Sequence, residues 1–184
     1  MRRPFFFVLT GVLAALAFGP AAADQTDPRL DLLFEELRTG EAARAEENIA
    51  RIIDIWSDSQ SDTVDLLFER AEAAADNGAP DLAMALLDHV IGLAPHFSQG
   101  YALRGSLRLA AGDRDGAIED FSTVLELEPR QFIVSSTLAE ILLSNGAKRE
   151  ANEMFQKALE WNPHDEHAIN RARALRREID GQEI

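Results

Sequence analysis

The chain has no cysteine in its 184 residues. That excludes disulfides, thiol chemistry and a lipidated cysteine behind a leader, so the fold must be held by core packing alone. Positive charge is scarce as well. Eighteen Lys and Arg face 32 Asp and Glu, for a net charge of −14 and a sequence pI of about 4.6. A nucleic-acid binder needs a basic face to neutralise phosphates, and none is expected here. The sequence carries no Gly-rich phosphate loop, no nucleophile elbow and no HExxH motif. It has no Asn-x-Ser/Thr sequon, and its last residues, Gly-Gln-Glu-Ile, are not an endoplasmic-reticulum retention signal.

The N-terminus is the one place with a long apolar run. Arg2 and Arg3 are followed by an almost unbroken apolar stretch from Phe5 to Phe18, then Gly19-Pro20 and Ala21-Ala22-Ala23. This is the layout of a cleaved secretory signal, residues 1–23, with the cut expected between Ala23 and Asp24. The alternative is a permanent anchor, for which the run is short, since a bilayer span needs about 20 residues. The arginine pair is a loose match to a twin-arginine signal, and the very apolar core favours the general secretory route. Cleavage removes two arginines and no acid, so the mature chain is more acidic still. No second run could cross a membrane, so no stable insertion is expected after cleavage. These features together lean towards a periplasmic or secreted protein of a bacterium.

The rest of the chain is globular in composition, 46% hydrophobic and 27% charged. It is also periodic. Prolines fall at 95, 129 and 163, and glycines at 78, 112 and 146, both in steps of 34. Small residues keep the same step at Ala83, Ala117 and Ala151, and at Ala71, Gly105 and Ala139. Leu87, Phe121 and Phe155 keep it too. Each unit predicts two helices. The first runs over 64–76, 98–110 and 132–144 and stops at the glycine, which tolerates the left-handed conformation at a helix end. The second stops ahead of Pro95, Pro129 and Pro163, because proline pushes the preceding residue out of helical geometry. In the middle unit Ala117, Phe121, Val124 and Leu125 make one buried stripe. The small residues mark a close crossing of the two helices, with Phe121 filling the space beside Gly105 and Ala117.

The 34-residue period, the paired helices and the small, aromatic and proline columns resemble the tetratricopeptide repeat. Three units match: 64–97, 98–131 and 132–165. The first helices depart from the family's aromatic–leucine–glycine–tyrosine set, reading Tyr101, Arg104, Gly105 and Arg108 in the second unit and Ser135, Leu138, Ala139 and Leu142 in the third. The resemblance implies an all-α solenoid of antiparallel helix pairs. Residues 166–184 are expected as a capping helix and tail, with Ala168, Ala172, Leu175 and Ile179 inward and Arg173, Arg176 and Arg177 outward. Residues 24–63 read as a degenerate N-terminal pair and linker. Leu30, Leu33, Phe34 and Leu37 mark one helix, and Ile49, Ile53 and Trp56 fall one period before Ala83, Leu87 and Val90. This is expected as a fourth, diverged unit.

In proteins similar to this one, the first helices line a concave face that holds a peptide or partner segment. Matched residue by residue, the first unit offers Asp65, Phe68, Glu72 and Asp76. The second offers Gln99, Ala102, Ser106 and Leu109, and the third offers Ile133, Ser136, Glu140 and Leu143. Each set shares one helical face. The face is acidic at one end and mixed further along. It lacks the Lys, Arg and Asn residues with which some family members clamp a C-terminal carboxylate. A protein or peptide segment with apolar anchors and some positive charge fits it better. The bland alternative is that these are only solvated helix faces, and that the acidity only keeps the protein dispersed.

No catalytic residue, cofactor or metal is assigned. His164 and His167 lie three apart and would share a helical face, but no third ligand is evident. Three functions are carried forward: an exported adaptor or scaffold binding through the concave face, a regulatory or substrate-delivery subunit of an envelope protease or assembly machine, and a small hydrolase with a dispersed site.

Overall fold

The computed structural model describes residues 27–182. The signal segment 1–23 and its cleavage point therefore lie outside the described residues. Nine α-helices occur among them and no strand: α1 (Pro28–Thr39), α2 (Ala45–Trp56), α3 (Asp62–Asp76), α4 (Pro80–Leu93), α5 (Ser98–Ala110), α6 (Arg114–Leu127), α7 (Phe132–Ser144), α8 (Lys148–Trp161) and α9 (Glu166–Gln182). A 3-10 turn at Ala42–Arg44 precedes α2. No helix among the described residues is long and apolar enough to cross a membrane. The fold is an all-α solenoid in which α3–α4, α5–α6 and α7–α8 are successive antiparallel pairs.

The turn chemistry repeats with the sequence. Gly78, Gly112 and Gly146 take φ of +73°, +84° and +78°. Each allows the next residue to reach back across the helix end: the amides of Ala79, Asp113 and Ala147 donate to the carbonyls of Ala74, Arg108 and Leu142 at 2.9, 2.9 and 3.0 Å. This is the Schellman closure, and it needs the left-handed residue. The following helix starts at once, with Pro80 in the first turn of α4 and the Asp113 side chain accepting from the Gly116 amide in α6. Ala94, Glu128 and Asn162, each ahead of a proline, leave helical geometry and end α4, α6 and α8.

Packing follows the same columns. Ala71, Ala83, Ala117, Ala139 and Ala151 are fully buried, as are Leu87 and Phe155, and Phe121 is nearly so. Each buried Leu or Phe contributes about 1.5–3 kcal/mol. Gly105 marks the closest crossing. A Cβ there would lie 2.8 Å from Phe121 Cε1 and 3.2 Å from Asp120 Cβ. Pro95 and Pro129 stay exposed and Pro163 half-buried, so their role is to stop helices rather than to fill space.

The arginines that depart from the family pattern in α5 have a structural reason. Asp120 of α6 is buried and accepts from Arg104 Nε at 3.0 Å and Nη2 at 2.7 Å. Arg108 Nη1 lies 3.0 Å from Oδ2, the oxygen that also accepts from Arg104 Nε. Hydrogen bonding to Asp120 holds the Arg104 guanidinium above its ordinary pKa, against the opposing effect of burial. Two cations around one buried carboxylate satisfy the charge that burial would otherwise penalise.

The N-terminal pair sits where sequence spacing does not put it. It was expected as a further unit ahead of α3. Instead, its apolar face packs on the third unit: Leu30, Leu33, Phe34, Leu37, Ile52, Ile55 and Trp56 form one cluster with Phe132 and Ala158, and Trp161 packs against it. The residues of α2 buried there are Ala45, Asn48, Ile52, Ile55 and Trp56. Trp56 is buried as the spacing expects, whereas Ile49 and Ile53 are half-buried at the edge of the cluster and Asn48, Ile52 and Ile55 take the inner positions. The cause is aromatic and electrostatic. Phe34 lies 5.8 Å from Trp56, 6.5 Å from Phe132 and 5.4 Å from Trp161, ring centre to ring centre. The Arg130 guanidinium sits 4.9 Å over Phe34 and pairs with Asp31 at 2.9 Å. Buried Glu128 accepts from Trp56 Nε1 at 3.2 Å and pairs with Arg130 at 2.8 Å. One consequence shows on α3 and α4. Leu66, Leu82 and Leu93 are exposed, whereas Gly100 and Val134, the counterparts of Leu66 in the next units, are buried.

Candidate functional site

The first helices α3, α5 and α7 stand side by side and enclose an open groove of about 210 Å³. Its walls are Phe68 and Glu72 from α3, Gln99, Ala102, Leu103 and Ser106 from α5, and Ile133, Val134 and Thr137 from α7, with Phe121 and Gln131 closing it. Six of the twelve residues matched from sequence thus line one cavity: Phe68, Glu72, Gln99, Ala102, Ser106 and Ile133.

The other six do not. Asp65 turns back to the linker and accepts from the Ser59 amide at 2.9 Å. Asp76 is the last residue of α3 and is exposed. Leu109 packs against the buried cluster around Phe121 and Val134, and Leu143 against the one around Phe155 and Ala168. Ser136 donates to Asp165 at 3.2 Å. Glu140 is held by Arg171 through two bonds of 2.6 Å and by His167 at 2.8 Å. The Arg171 guanidinium and then His167 keep its carboxyl below the usual Glu range, against the opposing effect of burial. The first set thus loses both ends and the second its last residue, while the third keeps only Ile133, because α9 and the turn before it claim Ser136 and Glu140 and the core claims Leu143.

Chemically, the groove offers an apolar floor and one acid. Ile133 is an exposed apolar side chain on its wall. Burial first, and then the nearby Asp76 and Glu69 charges, push the Glu72 carboxyl above its usual range. A cationic group brought beside it would relieve both effects. Gln131, just ahead of α7, adds a polar feature that the sequence reading missed. It is buried, and its Oε1 has no hydrogen-bond partner. Nothing in the sequence points to it, because it lies outside the helical face used for matching.

His164 and His167 do not share a helical face. His164 lies in the turn before α9, and only His167 is helical. No group of three or more His, Cys, Asp or Glu able to hold a metal ion occurs among the described residues.

Two family models described as tetratricopeptide repeat match residues 35–96 and 108–175, more than half of the chain between them. The chain belongs to the tetratricopeptide repeat family. It is similar to a TPR repeat-containing protein of Rhizobium etli, 29% identical over 161 residues, covering 87% of this chain and 79% of that one. It also resembles Superkiller complex protein 3 of Homo sapiens, 31% identical over 121 residues, of whose length it spans only 8%. Among solved structures, the Yersinia enterocolitica type III secretion chaperone SycD in complex with a peptide of the translocator YopD matches with a TM-score of 0.59 and 22% identity, over 64% of this chain and 95% of that one. The first TPR of Spaghetti (RPAP3) bound to the HSP90 peptide SRMEEVD matches with a TM-score of 0.58 and 17% identity, over 64% and 93%. A crystal structure of MamA matches with a TM-score of 0.58 and 18% identity, over 74% and 82%. At these identities the structures show the shared fold.

Proposed function

We propose that this chain is an exported adaptor that holds a segment of an envelope protein in the groove between α3, α5 and α7. The observation that carries the reading is the composition of that groove. Side chains from all three units meet there, with Phe68 and Ile133 as apolar contacts and Glu72 as the charge. A segment with one or two apolar anchors and a nearby Lys or Arg fits it. No cation lines the cavity, so a clamp for a C-terminal carboxylate is not part of this reading. Two of the similar folds are described with peptides bound, which supports a peptide or protein as the occupant. Export rests on the apolar run and small residues of 1–23.

The test is crosslinking in the native host, followed by identification of the partners, on the wild type and on an Ile133→Asp, Glu72→Lys variant. Both side chains are exposed, so the variant keeps its helical circular dichroism. Loss of the wild-type partners from a folded variant is the expected result. Retention of the same partners would remove the groove from the reading. Recovery of a protease or assembly complex would point to a delivery subunit instead of a free-standing adaptor.

A further inference from the structure

The capping helix α9 carries a second surface, separate in its lining from the groove between the first helices. It follows from the repeat columns. In each unit, Ala71, Gly105 or Ala139 faces the second helix of its own pair. Continuing that column by one period reaches Arg173, and the column of Ala74, Arg108 and Leu142 reaches Arg176. α9 therefore occupies the place of a first helix, but no second helix follows it among the described residues. The seat that such a helix would fill is open. It is a groove of about 380 Å³ lined by Leu159, Ile169, Ala172, Arg173, Arg176 and Arg177, with Gln156 and a single acid, Asp180, so cations outnumber acids there by three to one.

Charge says what the seat accepts. None of these three arginines forms an ion pair among the described residues. They stand together on a chain of net charge −14. The molecule contains its own example of how such an arginine is satisfied. Arg108 holds the column position of Arg176, and the helix seated against it, α6, delivers Asp120 to Arg108 and Arg104. One feature differs. Gly105 leaves room for the Phe121 ring, whereas Arg173 in the same column does not. A helix seated on α9 must be small at that point and acidic around it.

We propose that the groove between α8 and α9 docks an acidic amphipathic helix of a partner protein, seated on α9 much as α6 is seated on α5. This surface shares no residue with the groove between the first helices, and the two can be occupied together.

A labelled synthetic peptide with the sequence of residues 113–129, carrying Phe121→Ala, serves as the probe, titrated by fluorescence anisotropy against the full chain. Saturable binding is expected. It should weaken roughly tenfold or more in an Arg173→Glu, Arg176→Glu, Arg177→Glu variant, whose three altered side chains are exposed. It should also weaken in about 0.5 M NaCl. An Arg51→Glu, Arg70→Glu, Arg114→Glu variant carries the same change in net charge away from the groove and should bind as the wild type does. The Ile133→Asp, Glu72→Lys variant should also bind normally, which separates this surface from the first groove. Absence of saturable binding overturns the proposal, as does equal weakening by both arginine variants. So does a concentration-dependent oligomer of the wild type that the Arg173, Arg176 and Arg177 reversal abolishes, because the occupant would then be a second copy of this chain.

Discussion

Phe34→Ala should release the N-terminal pair while leaving the three repeats folded. Phe34 is almost fully buried, lies within 6.5 Å of three other aromatic rings and carries Arg130 across its face. Truncating a buried Phe costs about 3–5 kcal/mol. The ties that remain are the Trp56–Phe132 contact at 5.9 Å and the rest of the apolar cluster, beside an exposed Asp31–Arg130 pair and one Trp56–Glu128 hydrogen bond; the two polar contacts are together worth about 1–2 kcal/mol. Local opening of a docked element costs less than global unfolding, so a loss of this size should fall on the docking of this pair and open it before the repeats. The chain has two tryptophans, Trp56 and Trp161, and both pack against Phe34. Intrinsic fluorescence therefore reads this one contact without a label. The variant should show red-shifted emission at room temperature, retain most of its far-ultraviolet helical signal, and become sensitive to protease in the linker around Ser57–Ser61. In urea, the fluorescence and circular dichroism transitions should coincide for the wild type and separate for the variant. If the two transitions still coincide in Phe34→Ala, the pair is an inseparable part of the solenoid core and the reasoning fails.

Three further outcomes follow from the packing and the charges. Gly105→Leu overfills the α5–α6 crossing, where even a Cβ meets Phe121 at 2.8 Å, and should cost about 1–3 kcal/mol in urea unfolding. Asp120→Ala removes the buried carboxylate that Arg104 and Arg108 share, leaving Arg104 with the exposed Asp88 and Arg108 with the Gly116 carbonyl, and should cost about 3 kcal/mol. Adding Arg104→Met and Arg108→Met should recover part of that loss, and a silent single variant would argue against the network. Glu72 has a raised pKa in the fold, so the native state holds its proton more tightly than the unfolded chain does. Its contribution therefore opposes folding at neutral pH and is relieved as pH falls through the raised value towards 4.5. Thermal melts across pH should show Glu72→Gln stabilising at pH 7 and neutral below that window.

Features encoded locally were legible from the residues. Gly78, Gly112 and Gly146, the helix-stopping prolines and the small columns act within a few positions of themselves, so their spacing is enough to place α3 to α8. The placement of α1 and α2 depends on pairs such as Trp56 with Glu128 and Asp31 with Arg130, which are 72 and 99 residues apart. No periodicity records those. The groove was half legible for a related reason. Phe68, Glu72, Gln99 and Ile133 follow from helical spacing, whereas Glu140 and Ser136 are taken by Arg171 and Asp165 of a later segment. The departures at Arg104 and Arg108 are visible in the sequence, but nothing in the spacing marks Asp120, on the second helix, as their common partner.

The docking of Phe34 onto Phe132 and Trp161 also measures the array. Each added helix pair would push the last unit further from the first by about the 8–10 Å spacing of packed helices. The linker from Ser57 to Ser61 is short, and it fixes α2 close to the start of α3. With a fourth unit inserted, the N-terminal pair could not hold the same partners. Repeat arrays commonly change by gaining or losing units. In this one, the first helix gauges the distance to the last pair, so the sequence of the units can drift more freely than their number.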